Sequence, residues 1–182
     1  KDGQPFKMSK RTGKAITLTD LLEDVPVEAA RFFFNMREPN STLDFDLDLA
    51  VQETSQNPVY YVQYAHARIC SILKNLAAEG ISPRSVTKEE LALLTTPEET
   101  ALIRRVAQLP NEIISAAKTY DPARLTHFVI DVATLFHKFY NACRVKGEDE
   151  ALMQARLSLC LAVRTTLKNV LALLKISAPE SM

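Results

Sequence analysis

The segment NPVYYVQYAHARICSILKNLAAEG, residues 57–80, contains the signals that begin, continue and end an α-helix. Asn57 is a preferred N-cap residue, and Pro58 occupies the first helical position, where the N–H that proline lacks has no partner anyway. Gly80 is a typical stop signal. Apolar residues recur at helical spacing between these signals, at Val59, Val62, Ile69, Leu73 and Leu76. The segment therefore predicts an amphipathic helix that runs to about Glu79.

Similar patterns cover most of the chain. Only four of the 182 residues are glycine, and long stretches of Ala, Leu, Ile and Glu favour helices. Asp121-Pro122 repeats the start signal, and Asp149 is the expected cap of the last helix. Further helices are predicted over residues 19–24, 27–36, 87–94, 97–120 (bent at Pro110) and 122–146. The sequence thus predicts an all-α fold, a helical bundle.

The first fifty residues follow a different pattern. Residues 1–13 are polar and are predicted to form an irregular loop. The run Phe32-Phe33-Phe34 is expected to be largely buried. Residues 43–49 alternate like a strand, but they have no partner strand, so we interpret them as an extended connector in which Asp46 or Asp48 caps a short helix.

Composition excludes several classes of protein. Twenty-two basic residues balance 22 acidic ones, so an RNA site would have to arise from a local arrangement of Lys and Arg. Cys70, Cys143 and Cys160 have neither the even number of a disulfide framework nor the spacing of a zinc site. No apolar run is long enough to span a bilayer. We expect a cytoplasmic protein with reduced cysteines.

A short basic loop, Lys7-Met8-Ser9-Lys10-Arg11, lies near the start of the chain. Its two lysines could move over the triphosphate of ATP and neutralise charge on the leaving pyrophosphate. A solvated basic loop is the alternative. None of the three histidines lies in a glycine-containing turn, and the four glycines form no phosphate-binding motif. We therefore do not expect catalysis by this chain alone.

Tyr60, Tyr64 and Arg68 lie four residues apart, on a face of the first long helix that is not the apolar one. Aromatic rings beside a guanidinium suit unstacked RNA bases and phosphates. The alternative is a tyrosine that packs against a neighbouring helix with Arg68 covering it. His66 falls within the apolar face and is interpreted as a hydrogen-bonded core histidine rather than a catalytic group.

The helix predicted over residues 122–146 carries a second aromatic group. Phe136 and Arg144 flank Tyr140 at helical spacing, and His137 lies one turn before it. Binding of a base and simple core packing are both open for Tyr140. Candidates for phosphate contact, for which a solvated surface is the alternative, are Arg104, Arg105, Arg156, Arg164 and Lys168.

Six stretches resemble, in the same order, the C-terminal part of bacterial arginyl-tRNA synthetases. They are residues 7–11, 18–22, 28–33, 43–47, 57–68 and 136–141. The family's Asp-Ala-Leu-Arg motif reads Glu28-Ala29-Ala30-Arg31 here, and Arg11 replaces the usual Ser of the basic loop. The end of the chain, residues 178–182, also resembles the family's terminus, with Ser181 where Arg is more usual.

The resemblance implies two regions. Residues 1–25 would be a remnant of the class I catalytic domain, with an ATP-binding loop at Lys7, Met8, Ser9 and Lys10. Residues 26–182 would be an α-helical anticodon-binding domain of the DALR type. The complete enzyme would use ATP with Mg²⁺ to form arginyl-adenylate and pass arginine to the 3′ end of tRNA(Arg), whereas this fragment would need no cofactor.

The resemblance also assigns the tRNA site. The positions that match Tyr64 and Arg68 contact the anticodon loop, and those that match Tyr140 and Met182 line the pocket of the central anticodon base. With Arg144 beside Tyr140, these residues form the predicted site for the anticodon stem-loop. We expect a monomer. The C-terminal domain of a cysteinyl-type synthetase and a helical protein-interaction module without RNA binding are the alternatives.

Overall fold

The computed structural model of the chain describes residues 2–4, 17–38, 40–147 and 149–182. These residues form helices and connecting segments, with no strand among them. The helices are α1 (Leu18–Asp24), α2 (Val27–Asn35), α3 (Leu47–Ala50), α4 (Pro58–Ala78), α5 (Lys88–Leu91), α6 (Pro97–Ala107), α7 (Leu109–Thr119), α8 (Ala123–Ala142) and α9 (Glu150–Leu173). The predicted all-α fold is confirmed.

Side chains cap the helices where the sequence predicts it. Asn57 accepts a hydrogen bond from the backbone N–H of Val59, and its amide donates to the carbonyl of Gln52 at 2.9 Å. Asp46 caps α3, and Asp149 caps α9. Each cap satisfies a backbone N–H that has no partner inside the helix. α4 ends at Ala78, and Gly80 follows with a φ of 79°, a left-handed conformation that glycine adopts without steric cost.

The predicted helix over residues 97–120 is wrong in one respect, because two helices replace one bent helix. α6 ends at Ala107, and Gln108 is both its C-cap and the N-cap of α7. Pro110 is therefore in the first turn of a new helix, where its missing N–H breaks no hydrogen bond. α5 covers only Lys88–Leu91 of the predicted 87–94. α8 begins at Ala123, one residue later than predicted, and the backbone N–H of Ala123 donates a hydrogen bond to the side chain of Asp121.

The core lies around α8, which packs against α2, α4, α6, α7 and α9. Phe128, Phe136 and Phe139 of α8 are fully buried, as are Leu157 and Leu167 of α9. Burial of each such side chain contributes roughly 1.5–3 kcal/mol before entropy is considered. The central position of α8 makes its backbone a fixed reference for the residues it carries.

The run of three phenylalanines is only partly buried. Phe32 and Phe33 face the core, whereas Phe34 is 46% exposed and packs on Phe45 with a ring-centroid distance of 5.4 Å. The prediction holds for Phe32 and Phe33 and is wrong for Phe34, because three consecutive helical residues span about 200° and cannot all face the core.

None of the helices in the described part of the chain combines the length and apolar content of a membrane span. Within the same residues, no group of three His, Cys, Asp or Glu side chains could hold a metal ion.

Candidate functional site

Tyr60, Tyr64 and Arg68 lie along one face of α4, as the spacing predicts. The rings of Tyr60 and Tyr64 are nearly parallel, with an interplanar angle of 6° and centroids 6.4 Å apart. The guanidinium carbon of Arg68 lies 5.6 Å from the Tyr64 ring centroid. Tyr64 keeps 38% of its surface exposed. The prediction of a shared face outside the core is confirmed.

Arg68 also contacts the neighbouring helix. Its guanidinium carbon lies 4.3 Å from the ring centroid of Tyr140 on α8, within the range of a cation–π interaction. No carboxylate among the described residues forms an ion pair with Arg68. Its positive charge is therefore held in place by two aromatic rings without being neutralised.

These residues line a cleft of about 330 Å³ between α4, α8 and the end of the chain. We call it the terminal cleft. Its side chains include Tyr64, Arg68, Ser71, Asn75, Tyr140 and Met182. Met182 is 52% exposed, so its thioether is available to a ligand. Because thioethers are polarizable and aromatic rings are flat, the cleft suits a flat heterocycle.

A wider cavity of about 780 Å³ adjoins the terminal cleft and shares Ile72, Asn75 and Tyr140 with it. Arg144 and Lys146 lie in this second cavity. Arg144 is exposed just beyond the end of α8, whereas Lys146 forms an ion pair with Glu79. Arg144 can thus meet a phosphate at the side of the terminal cleft.

His137 packs against the tyrosines of α4 beside the cleft. Its ring centroid lies 4.9 Å from that of Tyr61 and 5.9 Å from that of Tyr64. Burial, and to a lesser extent the charge of Arg68, lower the pKa of His137 below its usual value of 6.5. At neutral pH the ring is therefore uncharged and acts as a packing surface for Tyr64.

The prediction that His66 is a hydrogen-bonded core histidine is confirmed. The side chain is 2% exposed, and its Nδ1 lies 2.8 Å from the carbonyl oxygen of Pro179. Because a carbonyl only accepts, Nδ1 carries the proton and donates it.

Two of the five candidate phosphate contacts are wrong. Arg156 donates to the buried carboxylate of Glu99 at 2.7 Å, and Arg105 pairs with Glu112 and Asp131 on neighbouring helices. Both cations stabilise packing between helices. Arg164 and Lys168 differ, because both lie near Cys70 on α4 and act against the rise that burial causes in the pKa of its thiol. Arg104 is exposed.

Four of the predicted site residues meet in the terminal cleft, namely Tyr64, Arg68, Tyr140 and Met182. Lys7, Met8, Ser9 and Lys10 lie outside the described residues. Ser71 and Asn75 were not predicted, although they continue the row of Tyr64 and Arg68 at seven and eleven residues after Tyr64. Extending that row along α4 would have identified them, since a hydroxyl and an amide can bond to the edge of a base.

Known proteins resemble this chain in both sequence and fold. Residues 62–182 match the model of the DALR anticodon binding domain. Arginine–tRNA ligase of Caldanaerobacter subterraneus subsp. tengcongensis is 58% identical over 99% of this chain and 32% of its own length. That of Ruminiclostridium cellulolyticum is 54% identical over 100% and 32%. The solved arginyl-tRNA synthetase of Thermus thermophilus has a TM-score of 0.73 and 29% identity, covering 95% of this chain and 29% of that one. The chain thus spans about a third of the length of its curated relatives.

Proposed function

The chain belongs to the DALR anticodon binding domain family, and from this premise we propose that it is the tRNA-recognising part of an arginine–tRNA ligase. Its partner is tRNA(Arg), and it contacts the anticodon stem-loop. The residues that bind the loop are Tyr64, Arg68, Tyr140, Arg144 and Met182.

The observation that carries this proposal is the position of Arg68 over the Tyr140 ring among the residues that line the terminal cleft. A base turned out of the loop can enter beside the Tyr140 ring and the Met182 thioether, while Arg68 meets a backbone phosphate. Single-stranded RNA loops are commonly read in this way, by stacking and by contacts to exposed base edges. The pairing of a fixed cation with two rings explains how a chain without net charge binds RNA locally.

The remaining assignments follow from the same premise. Residues 26–182 form the anticodon-binding domain, and residues 1–25 belong to the end of a catalytic domain. Lys7, Met8, Ser9 and Lys10 bind ATP, with Lys7 and Lys10 acting on the phosphates, in a complete enzyme that requires Mg²⁺. That enzyme attaches arginine to tRNA, acts in the cytoplasm and is a monomer.

Titration of the chain with purified tRNAs tests the proposal. We expect arginine-accepting tRNA to bind more tightly than other tRNAs, with log Kd rising by about 2–3 per tenfold increase in salt if three phosphates are contacted. A preference for cysteine-accepting tRNA would support the cysteinyl-type alternative. Absence of tRNA binding at low salt would instead favour a protein-interaction module.

Measurement of ATP–pyrophosphate exchange tests whether this chain catalyses formation of the adenylate by itself. The chain alone should give no exchange above background, because the proposed catalytic site needs residues beyond it. Exchange by the chain alone would contradict its assignment to the recognition part.

A further inference from the structure

The last helix ends in a way that redirects the chain across the bundle. Lys175 follows α9 with a φ of 57°, and the N–H of Ile176 donates to the carbonyl of Leu171 at 2.9 Å. This hydrogen bond is typical of a Schellman motif, which stops the helix. Residues 176–182 continue without regular structure and end at Met182 in the terminal cleft. We call residues 176–182 the terminal strap.

Glu28 on α2 fixes the beginning of the terminal strap. One carboxylate oxygen of Glu28 accepts from the backbone N–H of Ser177 at 2.8 Å, and the other accepts from the Ser177 hydroxyl at 2.8 Å. Gln63 on α4 donates to the same carboxylate and to the Ser177 carbonyl, both at 3.1 Å. Glu28, Gln63 and Ser177 thus form a closed set of hydrogen bonds that joins α2, α4 and the strap.

Two more side chains hold the backbone of this region. Arg31, one helical turn after Glu28, donates to the carbonyl of Lys175. His66 donates to the carbonyl of Pro179. The chain is therefore fixed at residues 175, 177 and 179, and at most about 10 Å of extended backbone separates Pro179 from Met182. Because only three residues follow the last fixed position, Met182 must stay close to the terminal cleft.

We propose that Glu28 is a positioning residue for Met182, and that Glu28 and Arg31 form a latch that holds the terminal strap across the bundle. This inference rests on the proposed function of the cleft as an RNA site. It gives the two charged positions of the Glu28-Ala29-Ala30-Arg31 motif a role at the opposite end of the chain. Neither side chain contacts the cleft itself, so both act through the strap.

The charge of Glu28 makes the proposal sharply testable. A carboxylate near an RNA site repels phosphates, so its removal would tighten RNA binding if electrostatics alone mattered. Glu28→Gln keeps the shape of the side chain, but its amide nitrogen cannot accept the hydrogen bonds from Ser177 and Gln63. The latch therefore predicts weaker binding, opposite in sign to the charge effect.

The experiment uses the 182-residue chain with ¹³C-labelled methionine methyl groups, the Met182 signal being assigned by its loss in Met182→Ala. In Glu28→Gln and in Ser177→Ala, we expect this signal to narrow and move towards the position of a free methionine. Affinity for arginine-accepting tRNA should fall about five- to tenfold. Glu23→Gln removes an exposed carboxylate from α1. It should leave the Met182 signal unchanged, and the affinity for tRNA should stay the same or rise slightly.

A double variant separates positioning from general stability. If Glu28 acts through Met182, Glu28→Gln should cause no further loss of affinity in the Met182→Ala background. Additive losses, or an unchanged Met182 signal in Glu28→Gln and Ser177→Ala, would overturn the latch. If the unaltered chain does not bind tRNA, the proposed function fails, and the methyl signal still decides whether Glu28 holds Met182.

Discussion

The carboxylate of Glu99 on α6 is fully buried, and its Oε1 accepts a hydrogen bond of 2.7 Å from Nε of Arg156 on α9. The other oxygen accepts from the backbone N–H of Thr96 at 2.9 Å, and Arg156 also donates to the carbonyl of Arg144 at 2.7 Å. Burial acts to raise the pKa of Glu99, but the hydrogen bonds from Arg156 and Thr96 outweigh it and lower the pKa below 4.5. The pair is thus ionised at neutral pH and connects two helices of the core.

Removal of one partner should therefore destabilise the bundle. Glu99→Ala leaves Arg156 mostly buried without its counter-charge, so we expect the free energy of unfolding to fall by about 3 kcal/mol in urea denaturation at pH 7. Glu98→Ala, which removes a carboxylate from the same helical turn, should cost less than about 1 kcal/mol. Equal effects of the two substitutions would show that the Glu99–Arg156 pair contributes nothing specific.

The terminal cleft predicts which residues determine tRNA affinity. Arg68→Ala and Tyr140→Ala should each weaken binding of arginine-accepting tRNA by about 1–3 kcal/mol, the scale of one charged contact or one stacked base. Fluorescence titration at fixed salt measures the change. Tyr120 is 86% exposed at the end of α7, and Tyr120→Ala serves as the control that should bind normally. Normal binding by Arg68→Ala and Tyr140→Ala would place the RNA on another face.

His137 predicts a pH dependence of stability. Its folded-state pKa lies below 6.5, so the unfolded chain binds the proton at higher pH than the folded chain does. The folded state is stabilised as long as His137 is uncharged in both states, which holds above about pH 6.5. This stabilisation is lost as the pH falls towards the folded-state pKa, because the unfolded chain takes up the proton first. His137→Phe keeps a ring in place without the titration. We expect its free energy of unfolding to fall less between pH 7 and pH 5 than that of the unaltered chain.

The matched control for this titration is His127, an exposed histidine on the same helix. His127→Gln should have the pH dependence of the unaltered chain. If His137→Phe also follows the unaltered chain, burial of His137 does not affect stability in this pH range.

Alkylation should distinguish the three free cysteines. Burial raises the pKa of Cys160 to about 12, and Cys143 is also buried, so neither provides an accessible thiolate. Cys70 is partly exposed. With iodoacetamide at pH 8, mass spectrometry should find slow modification of Cys70 first, and modification of Cys143 and Cys160 only in urea. Early modification of Cys160 would contradict its burial.

Asn57 combines a cap with two tertiary hydrogen bonds. Its amide nitrogen donates to the carbonyls of Ala50 and Gln52, and the side chain is 4% exposed. Asn57→Ala should lower the free energy of unfolding by about 2–3 kcal/mol, because it removes the cap and leaves the carbonyls of Ala50 and Gln52 without this donor. Asn111→Ala, on the exposed surface of α7, should change it by less than about 0.5 kcal/mol. Thermal and urea denaturation of both variants measure the difference.

Features with a local cause could be predicted from the sequence. Asn57, Asp46 and Asp149 cap helices because each bonds to a backbone N–H two or three residues away. Arg68 and Tyr64 share a face because the period of the helix requires it. Four residues of the terminal cleft follow from such spacing together with the resemblance to arginyl-tRNA synthetases, namely Tyr64, Arg68, Tyr140 and Met182.

Features with a distant cause could not be predicted. The sequence predicts a phosphate contact or a solvated position for Arg156, because its partner, Glu99, lies 57 residues earlier in the chain and leaves no local signal. The contact of Glu28 with Ser177 spans 149 residues, and nothing near either residue indicates it. The separation of α6 from α7 at Gln108 has a local cause, but it could not be predicted either. A proline in the first turn of a new helix and a proline at a bend within one helix produce the same sequence pattern.

The position of Tyr140 on α8 has a consequence for altering what the terminal cleft recognises. Tyr140 is adjacent to Phe139 and one turn after Phe136, both fully buried, so a change in the backbone there would disturb the centre of the protein. Ser71 and Asn75 on the opposite side are exposed. One wall of the cleft is thus anchored in the buried core, whereas the exposed side chains at positions 71 and 75 on the other wall can be replaced at little cost in stability, so these are the positions at which to redesign what the cleft binds.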